Sequence, residues 1–138
     1  MVIIDRIEEY GVPIKEVVNC GGLASKNALM MQIYADIAGR PMKISRSEQT
    51  PALGAAVFAA VAAGKEAGGY DSVVAAQKAM VGSGREYRPV ERNHRIYQRL
   101  YTLYRRLHDA YGTRQWSGGM HSLMKELLDI RDEVRRTL

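Results

Sequence analysis

The sequence predicts a helix-rich α/β fold that closes in long helices, and three observations carry that reading. The first 64 residues alternate helix-like with strand-like segments; an Ala/Gly-rich composition gives way near residue 84 to an Arg/Tyr-rich one; and beyond that point the apolar residues follow helical spacing. A length of 138 residues suits a single domain, since domains usually run to about 100–150 residues. One domain over 1–138 is therefore expected, with an α/β part at 1–84 and a helical part at 85–138.

The elements follow in order. Val2, Ile3, Ile7 and Tyr10 among charges form a short amphipathic helix, stopped by Gly11 and Pro13. Glu16 to Cys20, β-branched at its centre, reads as a buried strand, and Gly21-Gly22 ends it. After Ser25, Leu29, Met30, Ile33, Tyr34, Ile37 and Ala38 mark one helical face, Gly39 stands where a C′ glycine would, and Pro41 blocks continuation. Met42 to Ser45 alternates as a second strand. Thr50-Pro51 reads as an N-cap followed by proline at N1, opening a helix to Gly64. A helix between two strands favours parallel pairing. The small residues Gly54, Ala55, Ala59 and Ala60 predict that the helix from Pro51 packs closely on the sheet. Asp71 or Ser72 caps a short helix through Met80, and Gly82-Ser83-Gly84 is a turn. A long helix then runs from Pro89 to about Ala110, with a stripe of Ile96, Tyr97, Leu100, Tyr101, Tyr104, Leu107, His108 and Tyr111. The last helix carries Leu123, Leu127, Ile130 and Val134 on one side.

Composition narrows the function classes. Hydrophobic residues make up 46% and charged residues 25%, which argues against disorder. No apolar run approaches the ~18 residues of a membrane span, and Asp5 and Arg6 directly after Met1–Ile4 leave no signal-peptide pattern. The single cysteine, Cys20, permits no intrachain disulfide framework and no multi-cysteine zinc site, so a cytoplasmic setting is expected. The net charge of +5 is concentrated between Arg85 and Arg114, where eight arginines face three acids. A solvated helix face is the preferred reading of that run, and a polyanion-binding surface is the alternative.

Few residues claim chemistry. His94, His108 and His121 make no metal motif, and His108 is expected in the core or at an interface. Cys20 is expected to be a buried small residue. No Ser/His/Asp arrangement emerges, and no acid stands out as a general base. The informative element is strand, Gly21-Gly22, helix. Paired glycines let a flat ligand or a phosphate approach the backbone, and the helix beyond offers unpaired N–H groups. On these residues alone a plain strand-to-helix turn is the preferred reading. Neither a P-loop nor a dinucleotide fingerprint is present, since Glu66 follows Gly64-Lys65 and Gly21-Gly22 lacks a third glycine.

The run Asn19 to Asp36, with Gly39 to Ile44 and Gln49 to Ala56, resembles the C-terminal domain of FGGY-family carbohydrate kinases, and within that family the ribulokinase branch. Tyr87-Arg88-Pro89, Asn93-His94, Tyr97, Leu100-Tyr101, Tyr104 and Leu107 to Asp109 resemble that branch's closing region. The likeness covers Val2 to Gly112 and is weaker after Ser117. It implies a partial ribonuclease-H-like, actin-like ATPase domain with C-terminal helices, residues 1–84 forming the nucleotide-side part. It also implies ATP with Mg2+ as cofactors and L-ribulose or a related ketopentose as substrate, in arabinose catabolism. By position, Gly21 and Gly22 become the turn facing adenine, and Lys26 and Asn27 border the base. Relatives such as glycerol kinases carry an acid where Cys20 stands and an asparagine where Lys26 stands. The resemblance puts the catalytic aspartate and sugar-binding residues in an N-terminal domain outside this chain, so the chain is expected to be inactive alone. The alternative is a small basic helical module for polyanion binding or oligomerisation. A homo-oligomer is expected because two short strands leave an open edge; a nucleic-acid or membrane partner is not.

Overall fold

A computed structural model describes residues 2–137, which fall into two compact units divided between Pro89 and Val90. In the first, α1 (Val2–Glu9) leads to β1 (Val17–Asn19), a short α2 (Gly22–Lys26), α3 (Ala28–Ala38), β2 (Met42–Ser45), α4 (Thr50–Ala63), α5 (Val73–Met80) and β3 (Ser83–Tyr87). The strand order is β1-β2-β3. β1 runs parallel to β2, pairing Val17 with Met42 and Asn19 with Ile44, as a crossover helix between them requires. β3 joins β2 antiparallel, Met42 opposite Tyr87, with an irregularity between Lys43 and Ser45.

β3 departs from the sequence reading, which made Gly82–Gly84 a turn. Four of its five residues are exposed and only Tyr87 is buried, so its sequence lacks the apolar alternation that reveals a half-buried strand. Its place is fixed instead by Tyr87 on Met42 and by the Arg85 guanidinium, 4.8 Å from the centre of the Tyr87 ring.

The core of this unit lies where α3 covers the sheet: Ala24, Met31, Ala35, Met42 and Tyr87 are buried, with Val17, Ala38 and Ile44 packed around them. Gly39 ends α3 in the left-handed region at φ 63°, ψ 25°, the geometry that favours glycine. Beyond it, Arg40 reaches back across 32 residues of sequence, and its Nη1 and Nη2 donate to the two carboxylate oxygens of Glu8 at 2.6 Å. Arg40 also donates to the Ile14 carbonyl. The Arg40 guanidinium, and next the Ile14 N–H, hold the Glu8 carboxyl below the usual carboxylate range. This clamp fastens α1 to the end of α3.

α4 corrects two expectations. Its N-cap is Gln49, with Thr50 already helical and Pro51 in the first turn. Its chief neighbour is α5 rather than the sheet. A Cβ built on Gly54 meets nothing within 4 Å, whereas one on Gly69 would fall 1.9 Å from the Ala60 carbonyl oxygen. The close approach that the small residues signal therefore lies after the helix, where Tyr70 N–H donates to that same oxygen at 3.0 Å. Ser72 caps α5, its Oγ accepting from Ala75 N–H at 3.2 Å.

The second unit is a pair of helices, α6 (Glu91–Gly112) and α7 (Leu123–Arg136). Arg99 bonds Glu133 at 2.5 Å and Arg106 bonds Glu126 at 2.8 Å. Because one partner's number rises as the other's falls, the helices are antiparallel. Leu103, Leu123 and Ile130 are its buried apolar residues. The buried residue of α6 is Leu103, which the expected stripe left out, while Ile96, Tyr97, Leu100, Tyr101 and Leu107 of that stripe are half-buried. Tyr104, Tyr111 and His108 are exposed, because a tyrosine ring counts as apolar in a periodicity while its hydroxyl favours water.

Substituting the two glycines separates the effects. Gly69→Ala should lose about 1–3 kcal/mol of stability to overpacking against backbone, whereas Gly54→Ala should gain about 0.5–1 kcal/mol, as glycine removal from a helix interior does. Urea melts of both variants check the pair; a neutral Gly69→Ala would contradict the described contact.

Candidate functional site

The β1–α2–α3 connection carries all four residues singled out by sequence. Gly21 adopts φ 86°, ψ 172°, a backbone that residues with a Cβ rarely adopt. Gly22 opens α2, is exposed, and would carry a Cβ in open space. The turn therefore presents a strip of bare backbone that no neighbouring side chain covers. Ser25 N–H donates to the Gly21 carbonyl at 3.3 Å and Ser25 Oγ to the Gly22 carbonyl at 3.2 Å. Ala24, in the middle of α2, is buried in the core and anchors the turn from below.

Lys26 is exposed in the last turn of α2. Asn27, next to it, ends α2 and caps α3, its Oδ1 accepting from Met30 N–H at 2.9 Å. The sequence reading had a single helix after Ser25. The break at Asn27 arises because a short amide side chain competes for the backbone N–H that a continuing helix would use. Gly22 and Lys26 thus sit at opposite ends of one helical turn, about 6 Å apart along its axis at 1.5 Å per residue.

Cys20, expected in the core, is exposed. The strand end turns outward there because only Val17 and Asn19 of β1 face packed neighbours while Val18 is exposed. Cys20 lines a cleft of about 270 Å³ with Thr50, Gly54 and Phe58 of α4, among others; Gly21, Gly22, Lys26 and Asn27 do not line it. The sequence reading passed over Phe58. Its signal was present: the sole phenylalanine of the chain, between Val57 and Ala59 on a helix rich in alanine. Among the described residues no group of three or more His, Cys, Asp or Glu is arranged to hold a metal ion, and no helix is long and apolar enough to cross a membrane.

Comparison with known proteins gives this arrangement its context. Residues 1–63 match the family model of the FGGY family of carbohydrate kinases, C-terminal domain. A ribulokinase of Geobacillus thermodenitrificans is 49% identical over 135 residues, which are 96% of this chain and 23% of that protein. A ribulokinase of Anoxybacillus flavithermus is 47% identical over the same shares. The chain corresponds to the C-terminal part of an FGGY-family kinase. It spans under a quarter of the length of these relatives. Among solved structures, a ligand-bound xylulose kinase from Lactobacillus acidophilus superposes with a TM-score of 0.63 at 21% identity, over 72% of this chain and 19% of that one. The fold of this FGGY segment is accordingly the helix-rich α/β fold of the actin-like ATPases, with a small mixed sheet.

Asn27 of the FGGY segment should behave as a double cap. Asn27→Ala is expected to cost about 1 kcal/mol, the usual loss of an N-cap, and Asn27→Asp to keep most of it. Thermal melts followed by circular dichroism read both; equal melting of Asn27→Ala and the unsubstituted chain would remove the capping role.

Proposed function

We propose that the chain is the C-terminal, nucleotide-side segment of a ribulokinase-like sugar kinase, its two units together forming part of one C-terminal domain. The observation that carries the proposal is the turn at Gly21 and Gly22: exposed backbone without side-chain cover, on a strand-to-helix connection anchored by Ala24. A flat heterocycle can lie against such a surface where any Cβ would hold it off. Adenine of ATP would rest there, bordered by Lys26 and Asn27. Asn27 keeps its amide nitrogen for a base, since Oδ1 is the atom that caps α3.

The parent enzyme would transfer the γ-phosphate of ATP to the 5-hydroxyl of L-ribulose or a related ketopentose, in arabinose catabolism in the cytoplasm. Phosphoryl transfer rests on positioning and on stabilising the charge of the transferred group. The described residues offer no acidic cluster for Mg2+, and magnesium in such enzymes is held largely by substrate phosphates with one or two carboxylates. On the resemblance, the catalytic base would belong to the N-terminal domain of the parent enzyme and not to this chain. Arg88, Arg95, Arg99 and Arg106 of the arginine run are ion-paired with Glu86, Glu91, Glu133 and Glu126, which supports reading the run as a solvated helix face.

The purified chain with L-ribulose and MgATP should show no turnover; rates of about 1–100 per second, ordinary for kinases, would defeat the segment reading. Its weak ATP affinity, measured by calorimetry, should fall about tenfold in Gly22→Val, equivalent to 1.4 kcal/mol. Equal affinity in the two proteins, or none in either, would overturn the assignment of the turn.

A homo-oligomer is proposed for the isolated chain, supported by exposed Val18 and Phe58 on the cleft side of the sheet. Sedimentation equilibrium over a wide concentration range should give a mass above 15.4 kDa; a strictly monomeric species would exclude it.

A further inference from the structure

The second unit holds a cleft of about 650 Å³ between the start of α6 and the end of α7. Small-molecule sites occupy about 300–1,000 Å³. Ile96, Tyr97 and Val134 give this one an apolar surface. Among the described residues that line it, Arg92, Arg95 and Arg99 are basic and only Glu133 is acidic. The arginines follow one another at spacings of three and four, so they share one side of α6 over about 10 Å of its length.

These three cations are committed to different degrees. Arg99 bonds Glu133 at 2.5 Å, which ties α6 to α7 and occupies the acid of the cleft. Arg92 donates from Nη2 to the Thr137 carbonyl at 3.2 Å. That acceptor is neutral, so the guanidinium keeps its charge and further N–H donors. Arg95 reaches Glu91 only at 3.7 Å, with side chains 72% and 76% exposed. Such a pair contributes at most about 1 kcal/mol and yields to a better acceptor. Arg92 and Arg95 also stand close to the start of α6, whose N-cap, Val90, supplies no side-chain bond. A helix dipole favours negative charge at that end. Two neighbouring guanidinium groups there oppose the dipole and each other, and an anion held between them relieves both.

We infer that this cleft binds a small phosphate monoester, its phosphoryl group held by Arg92 and Arg95 and its carbon body lying against Ile96, Tyr97 and Val134. The planar guanidinium forks match phosphate oxygens in pairs, and the Tyr97 ring favours a flat body. Every residue of the site belongs to the second unit, and none belongs to the turn proposed for ATP.

Calorimetric titration of the whole chain with phenyl phosphate tests the site. The unsubstituted chain should bind it about tenfold more tightly than inorganic phosphate, because the ring adds apolar burial. Arg92→Gln with Arg95→Gln should weaken phenyl phosphate about tenfold or more, as loss of charge-assisted hydrogen bonds does. Arg105→Gln with Arg114→Gln removes the same charge from exposed positions outside the cleft and should change affinity less than about twofold, since distant surface charges are screened. In the unsubstituted chain, amide resonances of residues 92–99 and 133–137 should shift during the titration, a readout that does not depend on the variants folding. No binding, resonance shifts confined to other residues, equal weakening in the two double variants, or inorganic phosphate bound as tightly as phenyl phosphate overturns the site.

Discussion

Everything in the first unit hangs on β2. It is four residues long and is the strand that bonds both others, parallel to β1 and antiparallel to β3. A sheet this small has little stability of its own and needs helices on its faces. Met42 is where that requirement is met. It is buried, lies opposite Val17 on one side and Tyr87 on the other, and its Sδ accepts from Asn19 Nδ2 at 3.3 Å. Met31 and Ala35 of α3, at 1% and 0% exposure, close over it. One face of the sheet is sealed in this way. On the other, α4 packs on α5 and leaves a cleft, so the two faces of one small sheet have opposite fates.

The sealed face explains how the turn at Gly21 keeps its shape. Ala24 is part of the core, and Asn27 joins the ends of α2 and α3, its backbone N–H donating to the Leu23 carbonyl and its side chain capping α3. Gln32 reinforces the far side, its Nε2 donating to buried Asp36 at 2.9 Å and to the Arg88 carbonyl at 2.8 Å. A five-residue helix would not persist alone, since isolated short helices are marginal in water. Here it is fixed at both ends by the chain that it connects.

What could be read from the sequence, and what could not, divides along physical lines. Glycine and proline punctuation was legible because it is local. Gly39 falls in the left-handed region, Gly64 ends α4, and Gly21-Gly22 stops β1. Parallel pairing followed from the crossover helix alone. β3 was hidden because its neighbours, not its own residues, make it a strand. The Glu8–Arg40 clamp was hidden because it spans 32 residues. The position of α4 was misjudged since small side chains announce close packing without naming the partner, and the partner is the backbone around Gly69. Within the site, the bare backbone at Gly22 could be expected from two glycines, while the capping work of Asn27 and the exposure of Cys20 depend on how the chain leaves β1.

The open face and the turn are neighbours, one peptide apart. Cys20 lines the cleft, and Gly21 beside it carries the φ of 86° that exposes the Gly22 backbone. Thr50 and Gly54 approach the same cleft from α4. On the proposed reading, adenine would lie against a wall anchored from below by Ala24, with its outer flank beside the open cleft. A wall supported on one side only gives a physical reason for nucleotide affinity to be weak in the isolated chain.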